Sequence, residues 1–149
     1  MTDYEAIVEQ ATSLLAGQDD LVANAANLSS LLFHALDEVN WVGFYFRKGD
    51  ELIVGPFQGR PACVAIPMGR GVCGTAAELR KVQRVPDVDA FDGHIACDGA
   101  SRSEIVIPII RNGKLLGVLD LDSPVTDRFD QGDEDFLRKI AEVFVKSLG

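Results

Sequence analysis

Residues 103–123 read SEIVIPIIRNGKLLGVLDLDS. Two apolar runs, 105–110 and 115–121, flank an Asn112-Gly113 pair, which is a strong local indicator of a tight turn between antiparallel strands. The stretch therefore predicts a β-hairpin. Its second strand is apolar on both faces, so we expect that strand to lie in the centre of a sheet rather than at an edge.

Helical and strand patterns surround this hairpin on both sides. The sequence predicts helices over 4–15 and 21–39, strands over 41–46, 51–57 and 63–66, a helix over 72–79, and a final helix that begins at 130–134. A turn-rich segment over 86–103 has few such patterns, and loops of this length within a domain are usually functional or disordered. Helices at both ends with strands between them predict one α+β domain over residues 1–149, with helices packed on an antiparallel sheet.

Composition and charge exclude several classes of partner. The chain has 149 residues, of which 47% are hydrophobic and 25% are charged, as in ordinary globular domains. Its net charge of −9 repels nucleic-acid backbones and anionic membrane surfaces. The amino-terminal residues lack the pattern of a signal peptide, and no apolar run reaches membrane-spanning length. We therefore expect a cytoplasmic protein whose partner is neither a nucleic acid nor a membrane, and a compact cationic or zwitterionic ligand remains possible.

Three carboxylates stand out in the predicted hairpin. Asp120 and Asp122 alternate along the second strand, and the period of a strand places them on one face with Leu116 and Val118. A carboxylate on a half-apolar face is costly unless it is paired or used. Glu104 opens the partner strand and is the third candidate.

The register of the hairpin decides whether Glu104 joins the two aspartates. With a two-residue turn Glu104 faces away from them, whereas a three-residue loop with Gly113 as the bulge places it opposite Asp120. We predict the three-residue loop, because it gathers the carboxylates into one cluster in which at least one pKa is raised. The alternative is that Asp122 caps a turn and Glu104 is a solvated strand end.

The strand over 41–46 has large side chains on both faces. One face carries the expected core residues Val42, Phe44 and Phe46. The other face carries Trp41, Gly43 and Tyr45, where a glycine between two large rings predicts a concave notch. The alternative is that the two rings simply pack beneath a helix.

The cysteines Cys63, Cys73 and Cys97 lie in Gly- or turn-rich settings rather than in apolar runs. In a cytoplasmic chain three cysteines indicate redox or metal chemistry rather than a structural disulfide framework. Zinc is disfavoured because the chain has no close pair of cysteines, and His94 near Cys97 is weak evidence for ligation. We therefore expect reactive thiols and no metal.

Residues 69–74, GRGVCG, match the dinucleotide-binding pattern GxGxxG. A predicted strand precedes them and a predicted helix follows, but the next strands form a hairpin rather than further βαβ units. We interpret the glycines as a tight strand-to-helix turn.

The motifs so far belong to a larger set that covers nearly the whole chain. The set comprises WVGFY (41–45), GPFQG (55–59), PAC (61–63), GRGVCG (69–74), AFDGHIACD (90–98), SEI (103–105) and GVLDLDS (117–123). In order and spacing it resembles the free methionine-R-sulfoxide reductases, which are small stand-alone GAF-domain enzymes. The resemblance implies a single GAF domain with a central antiparallel sheet of about six strands, and with N- and C-terminal helices packed on one face.

The resemblance also implies roles for individual residues. Cys97 is the expected nucleophile, Cys63 the resolving thiol and Cys73 an accessory thiol. The expected substrate-binding residues are Glu104, Asp120, Asp122, Trp41 and Tyr45.

The implied reaction is the reduction of free L-methionine-R-sulfoxide to methionine. It runs through a cysteine sulfenic acid and an intramolecular disulfide, which thioredoxin or another dithiol reopens, and it needs no cofactor. Backbone amides of residues 97–101 are candidates for the substrate carboxylate, and a homodimer is a family-level expectation. Two other functions stay open, a ligand-binding signalling GAF module and a thiol peroxide sensor, although an acidic pocket disfavours a phosphate-containing ligand.

Overall fold

The computed structural model describes residues 2–94 and 100–149. Its elements in chain order are α1 (Tyr4–Leu15), α2 (Leu21–Ala35), β1 (Trp41–Lys48), β2 (Glu51–Gly59), β3 (Ala65–Pro67), α3 (Gly71–Leu79), β4 (Gln83–Val85), a short 3₁₀ turn (Val88–Ala90), β5 (Ser103–Arg111), β6 (Lys114–Ser123) and α4 (Gln131–Ser147). In the described part of the chain no helix has the length and hydropathy needed to cross a membrane.

Six strands form one antiparallel sheet in the order β3-β2-β1-β6-β5-β4. The position of β6 between β1 and β5 confirms the expectation of a central strand. The sequence patterns missed β4, which has only three residues and pairs with the first half of β5. The predicted α+β fold, with terminal helices on one face of an antiparallel sheet, is confirmed.

The sheet has an apolar core on each face. Helices α1, α2 and α4 cover one face, where Val42 and Phe44 of β1 are fully buried and Phe46 is partly buried. The short helix α3 covers the other face, which carries the buried side chains of Trp41 and Tyr45. The predicted division of β1 into a core face and a second face is therefore correct.

The turn of the β5–β6 hairpin contains two residues. Asn112 and Gly113 have φ angles of 51° and 78°, and Arg111 pairs directly with Lys114. Two positive φ angles are characteristic of the tight turn that matches the twist of flanking strands. The expected three-residue loop with Gly113 as the bulge is therefore wrong, because asparagine tolerates the left-handed conformation and two residues suffice.

A register shift nevertheless occurs within the hairpin. It lies between Ile109 and Ile110, and Leu116 on β6 is the extra residue without a cross-strand partner. Leu116 consequently packs against the core beneath the three long helices, whereas Val118 lies on the opposite face. The expectation that Leu116 shares a face with the aspartates is therefore wrong, since a β-bulge interrupts the alternation of side chains.

Candidate functional site

A small cavity opens on the face of the sheet that carries α3. Its lining consists of Trp41, Tyr45, Glu104, Asp120 and Asp122 from the sheet, Arg70, Gly71, Val72 and Cys73 at the start of α3, and Pro61, Ala62, Ile66 and His94. The cavity volume is about 50 Å³. Pockets that enclose drug-sized ligands occupy several hundred Å³, so this cavity suits only a small ligand.

The bulge in β6 brings the three hairpin carboxylates to this cavity. Glu104 pairs with Asp122, two residues further along β6 than the expected partner, Asp120. Glu104 and Asp120 are only 7% and 4% exposed. The predicted acidic cluster therefore forms, and the alternative in which Glu104 is a solvated strand end is wrong.

Cys73 completes the cluster from the opposite side of the cavity. Its Sγ donates a hydrogen bond to Glu104 Oε2 at 3.8 Å. One potential ligand atom from each of Cys73, Glu104 and Asp120 lies within 4.8 Å of the others. Asp120 Oδ1 is buried and accepts no hydrogen bond from a described residue. The cluster thus presents an acceptor to whatever occupies the cavity.

Burial controls the ionisation of this cluster. It raises the pKa of Glu104 well above its usual range, and the neighbouring Asp120 charge raises it further. Burial likewise raises the pKa of Asp120, with the Asp122 charge as the next cause. The pKa of the Cys73 thiol is raised by burial and by both Asp120 and Glu104. These groups cannot all be charged together, so the cluster holds exchangeable protons next to the cavity.

Three groups of the cluster lie close enough together to ligate one metal ion, namely Cys73, Glu104 and Asp120. A metal ligand must be deprotonated, and burial favours the protonated form of each of these groups, so an ion would have to displace their protons on binding. The set also differs from the thiol and histidine set considered from the sequence. Among the described residues, the same three groups are the candidates for holding a metal.

Two aromatic rings, those of Trp41 and Tyr45, line the cavity, and a third ring, that of Phe57, packs against Trp41. The rings of Trp41 and Tyr45 stack at 5.8 Å, and those of Trp41 and Phe57 at 5.2 Å. The indole Nε1 donates to the carbonyl oxygen of Arg60 at 3.1 Å, which fixes the ring orientation. Burial raises the pKa of Tyr45, with Asp120 as the next cause, so its phenol stays neutral.

The expected notch above Gly43 is wrong. A Cβ at Gly43 would lie 2.3 Å from the Phe57 Cβ and 2.7 Å from the Trp41 ring, so those two side chains already fill the space. Glycine at this position lets the indole lie flat along the strand. The sequence reasoning missed Phe57, which pairs with Gly43 across β1 and β2.

The three cysteines differ in environment. Cys73 is free and buried in the first turn of α3, so its glycine-rich setting is the start of a helix. Cys63 precedes β3, is half-buried and is disulfide-bonded. Cys97 lies outside the described residues, and its role as nucleophile stays a prediction.

Arg70 is a lining residue that the sequence reasoning missed. It is the N-cap of α3 and lies within the GRGVCG segment, which was interpreted only as a tight turn. A positively charged residue among turn glycines beside a thiol was the available indication.

The fold and its ligand cavity define a GAF domain, and the family model described as "GAF domain" matches residues 4–148. The chain is 56% identical to Protein YtsP of Bacillus subtilis over 98% of this chain and 91% of that protein. It is 52% identical to the free methionine-R-sulfoxide reductase of Escherichia coli over 91% of this chain and 82% of that protein. A solved structure of the fRMsr of Staphylococcus aureus in complex with substrate matches with a TM-score of 0.96 and 50% identity, covering 100% of this chain and 97% of that one. This chain belongs to the free methionine-R-sulfoxide reductase family of GAF domains.

Proposed function

We propose that this chain reduces free L-methionine-R-sulfoxide to methionine. The observation that carries the proposal is a small cavity lined by Asp120, Glu104 and Trp41. In this cavity Asp120 Oδ1 is buried and accepts no hydrogen bond from any described residue. An amino acid with a polar sulfoxide and a terminal methyl group matches each part of that lining.

The acidic cluster binds the substrate ammonium. An ammonium donates up to three hydrogen bonds, and Asp120 Oδ1 is available to accept one of them. The incoming positive charge lowers the cost of ionising Glu104 and Asp120, whose pKa values are raised by burial in the empty cavity. Substrate binding and proton release from the cluster are therefore linked.

The released proton has a chemical use. Reduction of a sulfoxide is aided when its oxygen is protonated or accepts a hydrogen bond, because sulfur then becomes more electrophilic. A carboxyl group with a raised pKa supplies such a proton near neutral pH, and Glu104, which lines the cavity, is the candidate for this role. The neutral phenol of Tyr45 adds a second donor to the same cavity.

Trp41 accounts for selection of one epimer at sulfur. Its ring is held by Tyr45, Phe57 and the hydrogen bond to the Arg60 carbonyl, and it is 2% exposed. A rigid apolar surface accommodates the terminal methyl group on one side of the sulfur. In the other epimer the methyl group and the oxygen exchange places, which would set the oxygen against the indole.

The thiols carry the electrons. Cys97 thiolate attacks the sulfoxide sulfur, methionine leaves as the thioether, and the oxygen remains on cysteine as a sulfenic acid. Cys63 then attacks that sulfenic acid, which forms a disulfide and releases water. A dithiol reductant, for which thioredoxin is the natural candidate, reopens the disulfide by exchange. The disulfide-bonded state of Cys63 supports its assignment as resolving thiol.

The same site accounts for a restriction to the free amino acid. A methionine sulfoxide residue within a peptide has neither the ammonium nor the carboxylate, so it would leave the buried Asp120 oxygen without a donor. We expect reduction of free methionine sulfoxide and negligible reduction of protein-bound sulfoxide, and a homodimer remains a family-level proposal.

The test measures methionine formation from the R and S epimers separately, with dithiothreitol or thioredoxin as reductant. We expect turnover of the R epimer alone, with complete loss in Cys97→Ser and at least a tenfold loss of kcat/KM in Asp120→Asn. Asp135→Asn removes an exposed carboxylate from α4 and serves as the matched control. Absence of turnover with either epimer would refute the proposal and favour a ligand-binding or thiol-sensing function.

A further inference from the structure

Arg70 introduces a permanent positive charge into a cavity whose sheet side is acidic. We infer that Arg70, together with the first turn of α3, binds the carboxylate of the amino-acid substrate and makes the site specific for a zwitterion. This inference rests on the proposed function and adds a binding residue to it.

The Arg70 side chain is exposed at the edge of the cavity. Its guanidinium makes no hydrogen bond or ion pair with any residue that the structure describes. The carboxyl groups of Glu104 and Asp120 line the same cavity, yet neither forms an ion pair with the Arg70 guanidinium. A guanidinium whose N–H donors have no partner among the described residues suits the bidentate recognition of a carboxylate.

The start of α3 supplies donors next to Arg70. The helices α1, α2 and α4 each begin after an aspartate whose side chain accepts a first-turn N–H, namely Asp3, Asp20 and Asp130. Arg70 occupies that position in α3 and offers no acceptor. Among the described residues no side chain caps the backbone N–H groups at the start of this nine-residue helix, and the helix dipole favours an anion there.

An independent observation indicates where the ammonium group of the same ligand would lie. Asp120 Oδ1 lacks a described donor and lies in the same cavity, so it marks the position of an ammonium. The first turn of α3 approaches that cluster closely, because Cys73 Sγ lies 3.8 Å from Glu104 Oε2. The ammonium and the carboxylate of an α-amino acid are attached to one carbon atom, so acceptors and donors that line the same small cavity match that pair of charges.

The experiment compares two substrates that differ in one charge. L-methionine-R-sulfoxide has the carboxylate, and its primary amide has nearly the same shape without the charge. Steady-state kinetics are measured with both substrates for the wild-type protein, Arg70→Gln and Arg70→Lys. Arg138→Gln is the matched control, since it removes an equal charge from an exposed i,i+4 ion pair on α4, remote from the cavity.

We expect Arg70→Gln to raise KM for the free acid by roughly 10- to 100-fold, the usual range for losing a hydrogen bond to a charged group. The KM for the amide should rise by less than about threefold. Arg70→Gln therefore no longer distinguishes the two substrates. Arg70→Lys keeps the charge but loses the planar pair of N–H donors. Its KM for the free acid should therefore lie between the wild-type value and that of Arg70→Gln. Arg138→Gln should leave the ratio between acid and amide at its wild-type value.

Equal losses for acid and amide would overturn the inference, because they would indicate an effect on the fold or on the cavity as a whole. Unchanged KM values for both substrates in Arg70→Gln would also overturn it and would place the carboxylate elsewhere, for instance on the amides of residues 97–101. Either result leaves the reductase function intact, since the wild-type protein still turns over the free acid. A wild-type protein without turnover would instead refute the proposed function and this inference together.

Discussion

Replacing Asp120 with asparagine should make the protein more stable and at the same time inactivate it. In the ligand-free protein Asp120 is 4% exposed, its Oδ1 has no described donor, and its pKa is raised by burial and by the Asp122 charge. Asparagine keeps the shape of the side chain, removes the charge and adds an NH₂ group that can donate a hydrogen bond to Glu104. The wild-type carboxylate is thus unfavourable for folding and is needed for the ammonium.

The expected gain follows from the environment of the side chain. An unsatisfied buried polar group costs about 1–3 kcal/mol, and more when it is charged. Asparagine can recover that amount at neutral pH. For a domain of this length each kcal/mol moves Tm by roughly 2–4 °C, so Asp120→Asn should melt about 2–12 °C above the wild-type protein at pH 7.

The sign of the pH dependence is fixed by the raised pKa of Asp120 in the folded state. Below the pKa of the unfolded chain, near pH 4, the carboxyl is protonated in both states and costs nothing extra. Above that pH the unfolded state releases its proton more readily than the folded state, so wild-type stability falls as pH rises. The advantage of Asp120→Asn should therefore grow between pH 4 and pH 7 and be small below pH 4.

Thermal and urea unfolding of the reduced proteins from pH 3.5 to 7.5 test this prediction. Asp135→Asn on α4 is the control, because that carboxylate is exposed and its removal should change Tm by no more than about 1 °C. Methionine added to the wild-type protein should recover part of the difference, since ligand binding satisfies the cluster. The reasoning is refuted if Asp120→Asn is less stable than wild type at pH 7, or if its advantage does not depend on pH.

Two further changes test other parts of the site. Gly117→Ala should destabilise the protein by about 1–3 kcal/mol or more in urea unfolding, because a Cβ there would lie 1.9 Å from the backbone oxygen of Tyr45; a near-neutral result would contradict the close approach of β1 and β6. Cys73→Ser should retain turnover, because a hydroxyl can still donate to Glu104, whereas Cys73→Ala should weaken substrate binding by up to about tenfold. Complete inactivity of Cys73→Ser would show instead that this thiol is itself required.

The amino-acid pattern was sufficient for elements that depend on local sequence. The helix over 4–15 begins and ends as predicted, since Asp3 caps it and its apolar spacing is regular. The strands over 41–46 and 51–57 were identified for the same reason, and the structure extends each by two residues. The strand over 83–85 was missed because three residues are too few to establish a period.

Features that depend on cross-strand pairing were harder to predict. The cluster of Glu104, Asp120 and Asp122 was anticipated, but its cause was placed in the turn rather than within β6. Gly117 was the available clue, because a glycine inside a strand often marks a bulge or a close backbone contact. The filling of the space above Gly43 by Phe57 depends on the register of β1 against β2, which no local pattern encodes. The role of Cys97 stays a prediction.

The extra residue in β6 also has an evolutionary consequence. If Leu116 were kept and the hairpin had one register from turn to end, Glu104 would pair with Leu121 and project from the side of the sheet opposite to Asp120 and Asp122. Deletion of Leu116 would instead give a regular two-residue hairpin in which Glu104 still pairs with Asp122. In an alignment of related chains, a one-residue gap at this position is therefore compatible with the same acidic site, and the identity of the carboxylates is the more informative feature.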